Sequence, residues 1–214
     1  MRLVLPRLYV ILDATLLNNS AHDCAQELAG AGVRLLQYRD KTASARDLLA
    51  TSRELVSSVK PYGASLIVND RPDIAVLAGA AGVHVGQEDL EPEQARAVVG
   101  EEIWIGTSTH NLEQFRRAAA TSADYIAVGP IFATTSKGNP DPVVGLELIR
   151  QLRYLTEKLI VAIGGITLER AASVIEAGAD SVAVIRDVVC AAKPGERARR
   201  FLDTLDAANH AAAV

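Results

Sequence analysis

The chain has 214 residues, 49% of them hydrophobic and 22% charged, which is typical of a globular protein with a full core in one domain spanning 1–214. Its net charge of −4 argues against a nucleic acid or an anionic membrane surface as the main partner, so any phosphate has to be bound by local positive charge. Cys24 and Cys190 stand alone, and there is neither a signal-peptide pattern nor a membrane-spanning apolar run, so we expect a cytoplasmic protein.

Eight short apolar runs recur along the chain, and segments with helical periodicity separate them. This alternation predicts an α/β fold, a single (β/α)8 TIM barrel of the phosphate-binding type. An eight-stranded doubly wound sheet is the alternative. The predicted strands are 8–12, 34–38, 65–68, 82–85, 104–107, 125–128, 159–163 and 181–185.

The helix boundaries have their own signals in the sequence. Glycines at 30–32, 79–82 and 178 are expected to end helices in the left-handed conformation before the next strand. Capping pairs and prolines mark where helices begin. The predicted starts are Ser44 with Asp47, Pro92, Asn111 with Gln114, and Thr167.

In a barrel the chemistry gathers at the carboxyl ends of the strands. The first strand ends in Asp13, which has no evident partner in the sequence and is left out of the predicted site. The second strand leads into the run Gln37-Tyr38-Arg39-Asp40-Lys41. Continued alternation would send Gln37, Arg39 and Lys41 to one side, where a guanidinium and an ammonium suit a polyanion such as diphosphate. A solvated basic loop is the structural alternative.

The third and fourth strands end in Asn69-Asp70 and, shortly after, Asp89. Parallel strands joined by one helix are neighbours, so both carboxylates are expected at the same edge of the barrel. Two hard oxygen ligands there suit Mg²⁺ held mainly by substrate phosphate and water. Alternatively, Asp70 caps a helix and Asp89 sits in a solvated loop.

The fifth strand closes with Ser108, a candidate hydroxyl contact that could equally cap a loop. His84 and His110 have no acid or nucleophile at a telling spacing, so both are interpreted as structural. The loop after the sixth strand carries Thr134-Thr135-Ser136-Lys137 between glycine and proline residues. Its length and hydroxyl groups indicate a phosphate clamp that closes over substrate.

The last two strands end in Gly164-Gly165 and in Ile185-Arg186. Glycines after strand seven, together with the exit of strand eight, are where many barrels bind phosphate through backbone N–H groups. The site therefore has two predicted anion-binding halves. No Ser/His/Asp set, no cysteine with a base and no zinc spacing is present, so joining two phosphorylated small molecules with loss of diphosphate fits better than hydrolysis by a protein nucleophile.

Five sequence blocks, in order over nearly the whole chain, closely resemble the thiamine phosphate synthase family. They are Gln37-x-Arg39-x-Lys41, Val68-Asn69-Asp70-Arg71, Gly82-Val83-His84-Val85-Gly86-Gln87-Glu88-Asp89, Gly129-Pro130-Ile131-Phe132-x-Thr134-x-x-Lys137 and Ile163-Gly164-Gly165-Ile166. The resemblance implies that 4-amino-5-hydroxymethyl-2-methylpyrimidine diphosphate is coupled to 4-methyl-5-(2-hydroxyethyl)thiazole phosphate, giving thiamine phosphate and pyrophosphate.

The resemblance also implies roles for individual residues. Asp70 and Asp89 match the Mg²⁺ ligands of the family, while Arg39, Lys41, Lys137 and Ser108 are expected to be catalytic. The pyrimidine diphosphate contacts match Gln37, Tyr38, Arg39, Asp40, Lys41, Asn69, Ser108 and Lys137. The thiazole phosphate contacts match Thr134, Thr135, Ser136, Gly165, Ile185 and Arg186.

One departure from the family pattern concerns the thiazole phosphate, because Arg186 stands where the family usually has serine. We expect its guanidinium to face the phosphate; the alternative is that it turns away and leaves backbone contacts only. A related thiazole tautomerase is an alternative, but its usual catalytic histidine falls at Pro130 here, and the acids would be superfluous. If the chain were a non-catalytic binding or regulatory protein, we would expect the acids or Lys137 to be lost. The sequence leaves open whether the protein forms a homodimer.

Overall fold

The computed structural model describes residues 4–134 and 141–212, with the backbone alone for 209–212. Its parallel strands pair in chain order, and the first pairs with the last, so the sheet is a closed barrel. Closure confirms the (β/α)8 prediction and excludes the doubly wound sheet. The strands are β1 (Leu8–Asp13), β2 (Leu35–Arg39), β3 (Ser65–Asn69), β4 (Gly82–Val85), β5 (Trp104–Thr109), β6 (Tyr125–Val128), β7 (Leu159–Ile163) and β8 (Ser181–Val184).

Helices alternate with these strands and surround the barrel. A short 3-10 helix, Lys60–Tyr62, follows the second helix. The helices are α1 (Ala21–Gly30), α2 (Ala45–Val59), α3 (Pro72–Ala78), α4 (Pro92–Val99), α5 (Leu112–Ala119), α6 (Gly145–Arg153), α7 (Leu168–Glu176), α8 (Arg186–Val189) and α9 (Pro194–Ala212). None of the helices in the described part of the chain is long and apolar enough to cross a membrane.

The strands bury both of their faces, as β1 illustrates. Leu8, Val10 and Leu12 point outward and pack in the core between barrel and helices, whereas Tyr9 and Ile11 point inward. This period-two alternation is what a strand with two buried faces requires. The inner cluster comprises Tyr9, Ile11, Leu35, Ile67, Tyr125, Ala127, Val161 and Ala183.

Most of the predicted helix boundaries agree with the structure, but the C-caps of α1 and α7 are alanines in the right-handed conformation, and the glycines with positive φ, Gly32 and Gly178, come one residue later. The side chains of Ser44 and Asn111 accept capping hydrogen bonds from backbone N–H groups three residues on, and Gly79 ends α3 with φ 68°. Thr167 precedes α7 as predicted, but its side chain makes no capping bond. The Asp187 carboxylate instead accepts from the first backbone N–H of α7, at 3.0 Å.

An arginine–aspartate arrangement recurs at the amino-terminal end of the barrel. Asp124, just before β6, accepts hydrogen bonds from Arg96 and from the backbone N–H of Ile105, both at 2.7 Å. The equivalent residues before β8 are Asp180, Arg153 and Ile160. Because this end of a barrel lies away from the carboxyl-terminal loops, we assign these ion pairs to stability.

Candidate active site

A cavity of about 620 Å³ opens at the carboxyl ends of the strands. Such a volume is within the range of pockets that enclose small-molecule ligands. Most of the predicted site residues contribute to its wall. These are Gln37, Arg39, Lys41, Asn69, Asp70, Asp89, Ser108, Thr134, Gly165, Ile185 and Arg186.

Two predicted contact residues do not line the cavity. Alternation along β2 turns Tyr38 outward, where it is buried in the core beneath the helices. Asp40 instead organises its own loop, because its carboxylate accepts hydrogen bonds from the backbone N–H groups of Thr42 and Ala43 at 2.9 and 3.0 Å. The other predicted clamp residues, Thr135, Ser136 and Lys137, lie outside the described residues.

Two cations from β2 and its following loop occupy one side of the cavity, and each has a carboxylate partner. Arg39 forms an ion pair with Asp13, which the sequence analysis left out of the site. The register of the barrel explains the pair, since Asp13 and Arg39 are direct neighbours on β1 and β2. Lys41 Nζ lies 3.1 Å from Asp70 Oδ2. These partners fix the two cations in place facing the cavity.

Asp70 and Asp89 meet at the edge of the barrel, as predicted. Burial raises the pKa of the Asp89 carboxyl, and the adjacent Asp70 carboxylate raises it further, although the N–H of Gly86 and the charge of Lys41 act in the opposite direction. Two carboxylates held this close favour a bound cation. In the described part of the chain no group of three or more His, Cys, Asp or Glu side chains could hold a metal. A cation bound by this pair would therefore need further ligands from substrate or water.

A chain of hydrogen bonds runs across the bottom of the cavity and connects two predicted contact residues. Gln37 Nε2 donates to Tyr9 Oη at 2.6 Å, and Tyr9 Oη lies 3.1 Å from Tyr125 Oη. Tyr125 Oη lies 3.1 Å from His84 Nδ1, whose Nε2 lies 2.8 Å from Ser108 Oγ. When each hydroxyl donates to the next group, the Nε2–H of His84 donates to Ser108, and the Ser108 hydroxyl hydrogen is left for the cavity.

Burial keeps this network neutral. It raises the pKa values of the Tyr9 and Tyr125 hydroxyls well above the ordinary value for tyrosine, so both remain protonated. The adjacent strand β5 makes room for the network through Gly106. A Cβ atom at that position would collide with the Tyr125 ring and hydroxyl, which explains why glycine stands in the middle of a strand.

The opposite side of the cavity is built from the ends of β6 and β7. Gly164 and Gly165 have φ values of 96° and 63°, which favour glycine. A Cβ on Gly164 would come within 2.6 Å of Pro130 Cα, and one on Gly165 within 2.8 Å of Phe132 O. Both glycines are therefore needed for the close packing of the two loops as well as for their backbone conformation.

Two arginines on this side, Arg170 and Arg186, line the cavity without a carboxylate partner among the residues that the structure describes. Arg170, in the first turn of α7, donates to Gly165 O at 2.9 Å and lies over the Phe132 ring at 4.7 Å. Sequence reasoning missed Arg170, since nothing in a lone helical arginine indicates which way it faces. Arg186 lies at the start of α8, directly after β8, and the expectation that its guanidinium faces a phosphate stays a prediction.

Both histidines that were interpreted as structural also line the cavity. His84 belongs to the hydrogen-bonded chain described above. His110 has its Nδ1 2.7 Å from Gly129 O and 3.5 Å from the Asp141 carboxylate. Its acid therefore comes from far along the chain, where no sequence spacing could have indicated it.

Comparison with known proteins places this site in a family. The family model described as thiamine monophosphate synthase matches residues 8–188. A thiamine-phosphate synthase of Koribacter versatilis is 54% identical over 209 residues, covering 95% of this chain and 97% of the relative. Another of Chloroflexus aurantiacus is 44% identical over 186 residues, with 86% of each chain covered.

A solved structure agrees with the sequence relatives. The thiamine phosphate pyrophosphorylase of Pyrococcus furiosus superposes with a TM-score of 0.86 at 30% identity, over 94% of this chain and 96% of that one. Its barrel and the sequence matches cover the strands and loops that build the cavity. The chain belongs to the thiamine monophosphate synthase family and is a transferase.

Proposed function

We propose that the chain joins 4-amino-5-hydroxymethyl-2-methylpyrimidine diphosphate to 4-methyl-5-(2-hydroxyethyl)thiazole phosphate, giving thiamine phosphate and pyrophosphate. The observation that carries this proposal is one cavity with cations on two sides. Arg39 and Lys41 stand on one side, and Arg186 stands on the other, next to the Gly164-Gly165 turn. Two phosphorylated substrates placed against these sides would bring their organic parts together between them.

The diphosphate belongs on the β2–β4 side in this proposal. Arg39 would bind it with a guanidinium held by Asp13, and Lys41 would add a second positive charge. Asp70 and Asp89 would hold a Mg²⁺ ion, which when bound neutralises charge on the diphosphate. Lys137, from the loop outside the described residues, completes this group in the sequence-based assignment.

The pyrimidine ring belongs over the hydrogen-bonded chain. Gln37 and Ser108 are held from below by Tyr9, Tyr125 and His84, so their cavity-facing atoms have defined positions. Breaking the bond to diphosphate leaves a pyrimidinylmethyl cation that the amino group stabilises. The thiazole nitrogen attacks it and carries no proton, so no general base is required.

The thiazole phosphate belongs on the β6–β8 side. Thr134, Gly165 and the exit of β8 at Ile185 and Arg186 line the cavity there. Arg186 replaces the usual serine hydroxyl by a guanidinium that can bind phosphate with two hydrogen bonds. An Arg186→Ser variant with an unchanged or lower KM for thiazole phosphate would count against this role.

The test is product formation by the purified protein, followed by chromatography and mass detection. We expect thiamine phosphate with both substrates and none when either is omitted. Arg39→Ala should raise the KM for the pyrimidine diphosphate by about tenfold or more, since it removes a charge-assisted contact. Arg46→Ala, at an exposed position on α2, is the matched control and should behave as wild type. No product from folded protein would refute the proposal.

A further inference from the structure

The charges around the cavity are balanced differently on its two sides. On the β2–β4 side, Arg39 is paired with Asp13 and Lys41 with Asp70. On the β7–β8 side, neither Arg170 nor Arg186 has a carboxylate within ion-pair distance in the part of the chain that the structure describes. A protein with a net charge of −4 therefore keeps two uncompensated guanidinium groups on one wall of one cavity.

Asp187, which follows Arg186 in the sequence, is paired with a different arginine. Its carboxylate is bound by the Arg197 guanidinium of α9, at 2.7 and 2.9 Å. The same carboxylate accepts the backbone N–H of Leu168, at 3.0 Å. That N–H opens α7 and would otherwise be free to bind an anion. The first backbone N–H of α7 is thus already bonded and unavailable to a substrate phosphate. The side chain of Arg170 is a donor of α7 that lines the cavity.

Arg170 is also held in position. Its Nη1 donates to Gly165 O at 2.9 Å, and its guanidinium stacks over the Phe132 ring at 4.7 Å. These two contacts restrict the side chain while leaving its other N–H groups as donors, because a guanidinium carries five. An ordered arginine loses less entropy when it binds a phosphate than a free one would.

We propose that Arg170 is a second phosphate-binding residue for the thiazole substrate, acting together with Arg186 on the same phosphate. This inference rests on the proposed function. Two guanidinium side chains would then recognise the phosphate in this chain, in place of binding by backbone N–H groups and a serine hydroxyl alone. The two arginines should distinguish a phosphorylated thiazole from the corresponding alcohol.

The experiment measures binding of thiazole phosphate and of the thiazole alcohol by calorimetry, without the pyrimidine substrate, so it does not depend on turnover. Arg170→Gln should weaken binding of thiazole phosphate by about tenfold and leave binding of the alcohol unchanged. Arg170→Lys, which keeps the charge, should recover part of the loss. Arg116→Gln, an exposed arginine of α5 that does not line the cavity, is the control for loss of one positive charge.

Other outcomes are equally informative. Unchanged binding of both ligands in Arg170→Gln would overturn the inference, and so would an equal loss for both, which would mean that Arg170 only supports the Gly165 turn. A wild-type protein that shows the expected binding pattern but forms no thiamine phosphate would support the inference and refute the proposed function.

Discussion

Removing a single buried hydroxyl group tests whether the hydrogen-bonded chain beneath the cavity positions the substrate contacts. Tyr125→Phe keeps the aromatic ring, including its stacking on His84 at 5.6 Å and its edge contact with Tyr9 at 6.1 Å. It deletes the hydroxyl that connects those two residues. Two hydrogen bonds, each worth about 0.5–1.5 kcal/mol net, are lost, so the free energy of unfolding should fall by about 1–3 kcal/mol.

The kinetic effect follows from the two residues at the ends of the hydrogen-bond network. Gln37 and Ser108 lose their connection through the network, so kcat/KM for the pyrimidine diphosphate should fall about tenfold, while the KM for thiazole phosphate stays unchanged. Urea denaturation and steady-state kinetics measure the two effects. Tyr154→Phe is the control, because Tyr154 is 91% exposed and should tolerate the change. If Tyr125→Phe matches wild type in stability and kinetics, the network has no positioning role.

Three further predictions concern other parts of the molecule. Asp13→Asn should raise the KM for the pyrimidine diphosphate about tenfold in steady-state kinetics, since an amide cannot hold the Arg39 guanidinium by charge; an unchanged KM would contradict this. Asp124→Asn should lower the free energy of unfolding in urea by about 1–3 kcal/mol without changing kcat, and a lower kcat would argue against a purely structural role. Burial raises the pKa of the Cys24 thiol to about 11, so at about pH 8 only about one molecule in a thousand carries its thiolate. Iodoacetamide should therefore modify the exposed Cys190 and not Cys24 in folded protein. Labelling of Cys24, detected by peptide mass spectrometry, would contradict the prediction.

The fold could be predicted from the sequence because each strand is a short apolar run with a helical segment after it. Local patterns also give the side chains that share one strand. Gln37, Arg39 and Lys41 face the cavity together, as alternation requires. The same alternation explains why Tyr38 does not, although the resemblance to the family had suggested it as a contact.

Contacts between distant strands could not be predicted in the same way. The Asp13–Arg39 pair depends on the register of β1 against β2, and no local pattern specifies that register. The network beneath the cavity likewise joins residues from five strands, and the His110–Asp141 contact joins two separate loops. Arg170 needed the packing of α7 against the β6 exit before its direction was known. Sequence patterns specify elements and faces, whereas these contacts require the assembled barrel.

The most direct test of the proposed reaction is pyrophosphate release by the purified protein, with and without Mg²⁺, in wild type and in Asp89→Ala. Glu88→Ala is the matched control, because it removes an adjacent exposed carboxylate that does not line the cavity. The account predicts release that requires Mg²⁺ and thiazole phosphate, falls by about a hundredfold or more in Asp89→Ala, and is unchanged in Glu88→Ala. Metal-independent release, or an Asp89→Ala variant as active as wild type, would contradict it.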